Sequence, residues 1–181
     1  MDMTEKTIRS EDIFEGRVIR VKKDTVKLPN GNISTREVVE HPGGVAIVPI
    51  DSEGNVYMVR QYRYPLKRLC LEIPAGKLNY GEDHRECGLR ELSEETGMEP
   101  GSFDYLGVFC PSPGFCQELI HIYLATGLRA GKAHLDEDEF LEVEKYPLSE
   151  LIQMIQDGKI QDGKTVIGLL LAKEVLQKDK Q

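Results

Sequence analysis

Residues 76 to 98, GKLNYGEDHRECGLRELSEETGM, leave this chain less freedom than any other segment. The segment opens with a glycine-punctuated loop from Gly76 to Gly81. Asp83, followed three residues later by Glu86, reads as a capping box that starts a helix. The helix continues through Leu89, Leu92 and Glu95, and Gly97 stands where a left-handed C-terminal cap belongs. At about 100° per residue, Glu91 and Glu95 lie one above the other with Glu94 beside them. Leu89 and Leu92 are expected to face a core. The small residues Cys87 and Gly88 fall on the carboxylate side, where a ligand or another backbone could come close.

Like charges at i,i+4 destabilise a helix by roughly 0.2–0.5 kcal/mol, which Arg90 can offset by pairing with Glu94 or Glu86. Three carboxylates on one turn still call for a cation. Hard oxygen donors suit Mg²⁺ or Mn²⁺, which keep several waters and bridge to substrate phosphates. An acidic helix face alone is more often just solvated surface. Here the full spacing decides: Gly76, five residues, Glu82, seven residues, then Arg90-Glu91-Leu92-Ser93-Glu94-Glu95-Thr96-Gly97-Met98. Every fixed position of the Nudix box is filled, and the chain resembles a Nudix hydrolase.

A length of 181 residues allows a substantial core. A net charge of −8 opposes broad electrostatic binding of nucleic acid, but leaves room for an anionic substrate held by a few arginines and a metal. No run of about 18 apolar residues is present, so no membrane helix is expected. Cys70, Cys87, Cys110 and Cys116 lack CxxC spacing and read as reduced packing thiols, which fits the cytoplasm.

Along the chain, residues 12 to 40 read as a β-hairpin turning at Pro29-Asn30-Gly31-Asn32, part of a sheet too small to stand alone. The apolar run from Gly44 to Ile50 reads as a buried strand, and Val56 to Arg63 as the strand paired with it. Further strands are expected near 103–109, 119–125 and 140–146. Helices are expected from Pro147 to about Gly158 and over 162–177. The fold class is therefore α+β, with a small N-terminal antiparallel sheet over 1–40 and a main domain over 41–181. The resemblance implies the α/β/α sandwich of Nudix proteins for that domain.

Outside the box, Gln61-Tyr62-Arg63, Glu72-Ile73-Pro74-Ala75-Gly76, Pro113 sixteen residues past Gly97, and the acidic loop at 136–140 resemble the ADP-ribose pyrophosphatase branch. Gly44 and Gly88 depart from that pattern, since such sequences often carry alanine there. The resemblance covers roughly residues 36 to 170 and is weakest over the first 35.

It implies Mg²⁺-dependent hydrolysis of ADP-ribose, or a related ADP-sugar, to AMP and ribose 5-phosphate. Glu91, Glu95, Glu94 and the Ala75 carbonyl would hold two or three Mg²⁺ or Mn²⁺ ions, and Glu82 would support the loop or a metal-bound water. Arg90 would orient the glutamates, and Glu139, or else Glu137, would serve as the general base. Arg36, Arg63 and Glu72 are candidates for substrate contact, and Pro113 is the mark of specificity. The resemblance also implies a homodimer sharing its N-terminal strands. Other nucleotide sugars or dinucleotides (GDP-mannose, FAD, NADH) are alternative substrates. A non-catalytic Nudix sensing module is the alternative of a different class, and the intact set of box acids argues against it.

Overall fold

The computed structural model describes residues 2–131 and 140–178, which fall into two compact units. The first comprises residues up to Gly43 together with Cys110–Leu119. Three strands, β1 (Lys6–Glu15), β2 (Arg20–Lys27) and β3 (Ile33–Glu40), form an antiparallel meander. The β2–β3 turn is the expected one: Gly31 takes φ 88°, and its N–H donates to the Leu28 carbonyl at 2.9 Å.

The sheet begins earlier than residue 12, because β1 pairs with β2 from Lys6↔Lys27 onwards. Its KTIRSEDIFE sequence lacks the apolar alternation that would have announced a strand, and the strand is exposed almost throughout. Segment 110–119 joins this unit through β3, where Val39 donates to the Phe115 carbonyl and accepts from the Gln117 N–H.

The second unit is built around β4 (Gly44–Pro49), buried at every position. Alternate residues explain why. Val45 and Ile47 face a core shared with Cys87, Leu92, Tyr123 and Ala125. Ala46 and Val48 face another, shared with Leu124, Leu151, Leu169 and Ala172. A strand covered on both sides reads as a continuous apolar run rather than an alternating one.

After β4 the chain enters β5 (Asn55–Arg63), a short 3-10 turn over Tyr64–Leu66, β6 (Arg68–Glu72) and β7 (Ala75–Lys77). Then follow α1 (His84–Thr96), β8 (Met98–Glu99), β9 (Ser102–Phe109), β10 (Ile120–Thr126) and β11 (Arg129–Ala130). The last elements are β12 (Leu141–Pro147), α2 (Leu148–Gln156) and α3 (Gly163–Lys178).

Strand order is β7-β4-β10-β9 in one sheet and β12-β5-β6 in another, with β8 and β11 as a two-stranded ribbon. β4 runs parallel to β10, with Ala46 opposite Ile122. Its expected pairing with β5 is reduced to one bridge, Ile50↔Val56. The Asp51–Asn55 turn instead carries the chain from one sheet to the other. Turn residues alone do not specify which sheet the next strand joins.

Helix α1 packs on one face of the β4 sheet, while α3 and its neighbour α2 lie on the other. This is the α/β/α layering and α+β class expected from the sequence. Two close approaches hold it together. A Cβ on Gly88 would sit 2.9 Å from Phe103 Cζ and 3.0 Å from a Val45 methyl. One on Gly168 would sit 2.8 Å from Ile73 Cδ1. The small residues on α1 thus admit the sheet rather than a ligand. Leu92 is fully buried, whereas Leu89 is only half-buried. Burying a leucine contributes about 1.5–3 kcal/mol, so Leu92 is the stronger anchor.

Candidate active site

Helix α1 is bounded as its sequence dictates. The Asp83 carboxylate accepts the N–H groups of Arg85 at 2.9 Å and Glu86 at 3.1 Å, which holds its pKa below the usual aspartate range. Gly97 closes the helix at φ 68°, its N–H reaching the Ser93 carbonyl at 2.9 Å. Between these caps Glu91 and Glu95 are buried, at 8% and 4% exposure. Burying two carboxylates one turn apart is costly unless they are compensated.

Much of the compensation is one guanidinium. Arg90 lies 2.7 Å from Glu91, 2.8 Å from Glu94 and 3.2 Å from Glu82. The sequence left Glu86 or Glu94 open as its partner; the structure gives Glu94. Burial alone would lower the Arg90 pKa, but Glu91 and Glu94 outweigh it and keep the charge fixed. Glu82 also accepts the Asn79 backbone and side-chain N–H groups at 2.8 and 3.0 Å, and the backbone bond is the main reason its pKa is lowered. Glu82 therefore ties the 79–82 loop to the helix. Cys87 lies deep in the same region, where burial first and Glu91 second push its thiol up to about 12.

The strand before the helix is fitted to it. The Ala75 N–H donates to Glu95 at 3.1 Å. A Cβ on Gly76 would land on the Glu91 carboxyl group, so only glycine leaves that carboxylate its place. Among the described residues, no group of three or more His, Cys, Asp or Glu side chains forms a ready-made metal-ligand set. The donor type nevertheless suits a hard divalent cation, since the carboxylates of Glu91, Glu94 and Glu95 share one stretch of α1 beside Ala75, whose N–H bonds Glu95.

A second group lies on the neighbouring strands. Arg63 grips Glu72 in a two-pronged pair at 2.8 and 2.6 Å. Lys164 also bonds Glu72, and reaches Asp162 at 2.9 Å. Burial would raise the Glu72 pKa, but these two cations more than offset it and the carboxyl stays ionised. The Asp162 carboxylate caps the start of α3 through the Thr165 N–H at 3.0 Å and hydroxyl at 2.6 Å. That hydroxyl in turn accepts the buried Ile73 N–H at 3.0 Å. Segment 72–76 is thus held by α3 at one end and by the α1 glutamates at the other.

Asp162, Lys164 and Thr165 were not read from the sequence. The Asp-x-x-Thr spacing does signal a helix cap, but a reach of 92 residues from Lys164 to Glu72 leaves no local trace.

Arg36 and Pro113 both belong to the first unit. Arg36, on β3, bonds Glu5 and the Thr35 carbonyl, and stands opposite Asp24 on β2. Pro113 lies in the turn closed by the Cys116 N–H on the Ser112 carbonyl at 2.9 Å. Glu137 and Glu139 lie outside the described residues. Among the described residues, one cavity of about 460 Å³ is lined by Arg63, Glu72 and Lys164. Another, about 760 Å³, is lined by residues such as Ile50, Leu128 and Leu176 and includes no residue of α1.

Residues 40–167 match the NUDIX domain family model. The chain belongs to the Nudix family. Residues 5–39 match a second model, the nucleoside diphosphate sugar hydrolase N-terminal domain. Among relatives, this Nudix chain is 50% identical over 167 residues to the methanol dehydrogenase activator of Bacillus methanolicus, covering 91% of this chain and 90% of that one. It is 43% identical over 182 residues to the ADP-ribose pyrophosphatase of Bacillus subtilis (strain 168), covering 98% of each. A solved structure titled "Crystal structure of ADP compounds hydrolase" superposes with a TM-score of 0.87 at 23% identity, covering 99% of this chain and 98% of that one, which establishes the shared fold.

Proposed function

We propose that this Nudix hydrolase cleaves the diphosphate of ADP-ribose or a related ADP-sugar, yielding AMP and ribose 5-phosphate from ADP-ribose. The observation that carries the reading is the 43% identity, along 98% of each chain, to a protein named ADP-ribose pyrophosphatase. The box glutamates, the Arg63–Glu72 pair and Pro113 all fit it.

Glu91, Glu95, Glu94 and the Ala75 carbonyl would hold Mg²⁺, two or three ions per site. Bound there, divalent cations supply charge neutralisation for the diphosphate and a more acidic water. The protein's own groups do the rest. Arg90 keeps the glutamates aligned and Glu82 holds the preceding loop. Arg63 and Glu72 position the substrate, and Arg36 and Pro113 of the first unit are separate candidates for contacting it. Glu139, or failing it Glu137, takes the proton of the water that attacks phosphorus as the bridging oxygen departs. Electrostatic positioning of this kind accounts for most of phosphoryl-transfer catalysis.

The chain acts as a cytoplasmic homodimer in which residues 1–40 form the shared sheet and residues 41–181 the catalytic domain. Support comes from β1, which leaves Ile8, Ile13 and Phe14 exposed. A monomeric mass at micromolar concentration would count against it. No described helix is long and apolar enough to cross a membrane.

The decisive assay compares ADP-ribose with ADP-glucose, GDP-mannose, FAD and NADH in the presence of Mg²⁺. Preference for ADP-ribose with release of AMP is expected; preference for another diphosphate overturns the substrate assignment. Glu95→Gln should lower turnover by about a hundredfold or more with the fold retained. Near-normal turnover would rule the scheme out.

The 50% identical relative favours a second reading, action upon a dehydrogenase. Adding this protein to a methanol dehydrogenase assay, with and without ADP-ribose as competitor, separates the two.

A further inference from the structure

The 460 Å³ cavity extends past Arg63 to residues the proposed hydrolysis does not use. Five basic side chains line it against two acidic ones, on a chain whose net charge is −8. Three of the basic groups are committed within the protein. Arg60 bonds Glu144, Arg63 bonds Glu72, and Lys164 is shared between Glu72 and Asp162.

Arg68 and Lys159 are different. Arg68 bonds the neutral amide oxygen of Gln161 at 2.6 Å rather than a carboxylate. Lys159 contacts Asp157 at 3.2 Å, in a pair whose lysine is 64% exposed, and such pairs contribute little. Arg68 also stands directly opposite Arg63 in the β5–β6 register. Like charges facing each other across strands are destabilising; Glu72 already answers Arg63, and an anion at Arg68 would answer the second guanidinium.

The geometry points to a second anion subsite in this cavity, formed by Arg68, Lys159 and Gln161 and taking a phosphate monoester. A guanidinium fork combined with a mobile ammonium suits a doubly charged group with three acceptor oxygens. With its oxygen accepting from Arg68, the Gln161 amide has its N–H groups to donate to the phosphate or to a hydroxyl beside it. This site goes beyond the proposed hydrolysis and stands whether or not ADP-ribose is the substrate.

The test is calorimetric titration of the full chain, without divalent cations, with inorganic phosphate, ribose 5-phosphate and ribose. Saturable binding of a phosphate-bearing probe, weaker at higher salt and undetectable for ribose, is expected. Equal affinity for the two phosphates assigns recognition to the phosphate alone; tighter ribose 5-phosphate adds the sugar, and either supports the site. Arg68→Gln and Lys159→Gln should each weaken binding by about tenfold or more, while Arg68→Lys, which keeps the charge but loses the fork, falls between. Both positions are exposed, and circular dichroism checks that the variants are folded. Wild-type affinity in Arg68→Gln, or no saturable binding of either phosphate, overturns the proposal.

Discussion

Gly76 shows how one missing carbon can decide a site. A Cβ there would stand 1.9 Å from the Glu91 carboxyl carbon, so an alanine displaces the carboxylate. Gly76→Ala should cost about 1–3 kcal/mol of stability from overpacking. Misplacing the carboxylate should lower turnover by on the order of a hundredfold. A melting curve and a kinetic assay on the same preparation check both. Cys87 makes the opposite point. Its thiol, pushed up to about 12 by burial and Glu91, should resist a thiol reagent at pH 8 in the folded protein, while the exposed Cys110 reacts. The spacing of glycine and glutamates was legible in the sequence because the box is fixed position by position. Of the ion pairs of Arg90 only the one with Glu94 was legible, as one of two options, since rotamers and burial decide among partners one to eight residues away.

At the scale of elements, the ends of α1 followed from Asp83 and Gly97, because caps are local chemistry. Strand pairing did not follow. β4 and β5 are joined by a short turn, yet they belong to different sheets, and the choice rests on which apolar faces must be covered. β1 left no signal for a related reason: a strand exposed on nearly every residue carries no alternation to read. The coupling of α3 to the loop before the box was equally silent, because Lys164 and the Thr165 hydroxyl reach Glu72 and Ile73 across 92 residues. Thr165→Val keeps the shape but leaves the Ile73 N–H buried without its acceptor, a loss of about 1–3 kcal/mol by urea denaturation. A smaller loss would mean that the loop finds another acceptor.

For the molecule as a whole, acid stability offers a reading of the turn between the two sheets. Asp51 is partly buried, which would raise its pKa, but Lys145 and the Asn55 and Glu53 N–H groups lower it from 3.8 to about 2. A group depressed in the folded state stabilises it fully above the unfolded pKa, and loses that contribution as pH falls through the folded value. Asp51→Asn should therefore narrow the gap in stability between pH 6 and pH 2, measured by chemical denaturation at each pH.

Arg90 carries a consequence for the proposed metal site. Because one guanidinium already answers Glu82, Glu91 and Glu94, the helix does not wait for an ion in order to be stable. Chelation should therefore abolish turnover and leave the melting temperature nearly unchanged, whereas Arg90→Gln should make the fold itself depend on divalent cations. The arginine thus separates the shape of the acidic cluster from the cation proposed to use it.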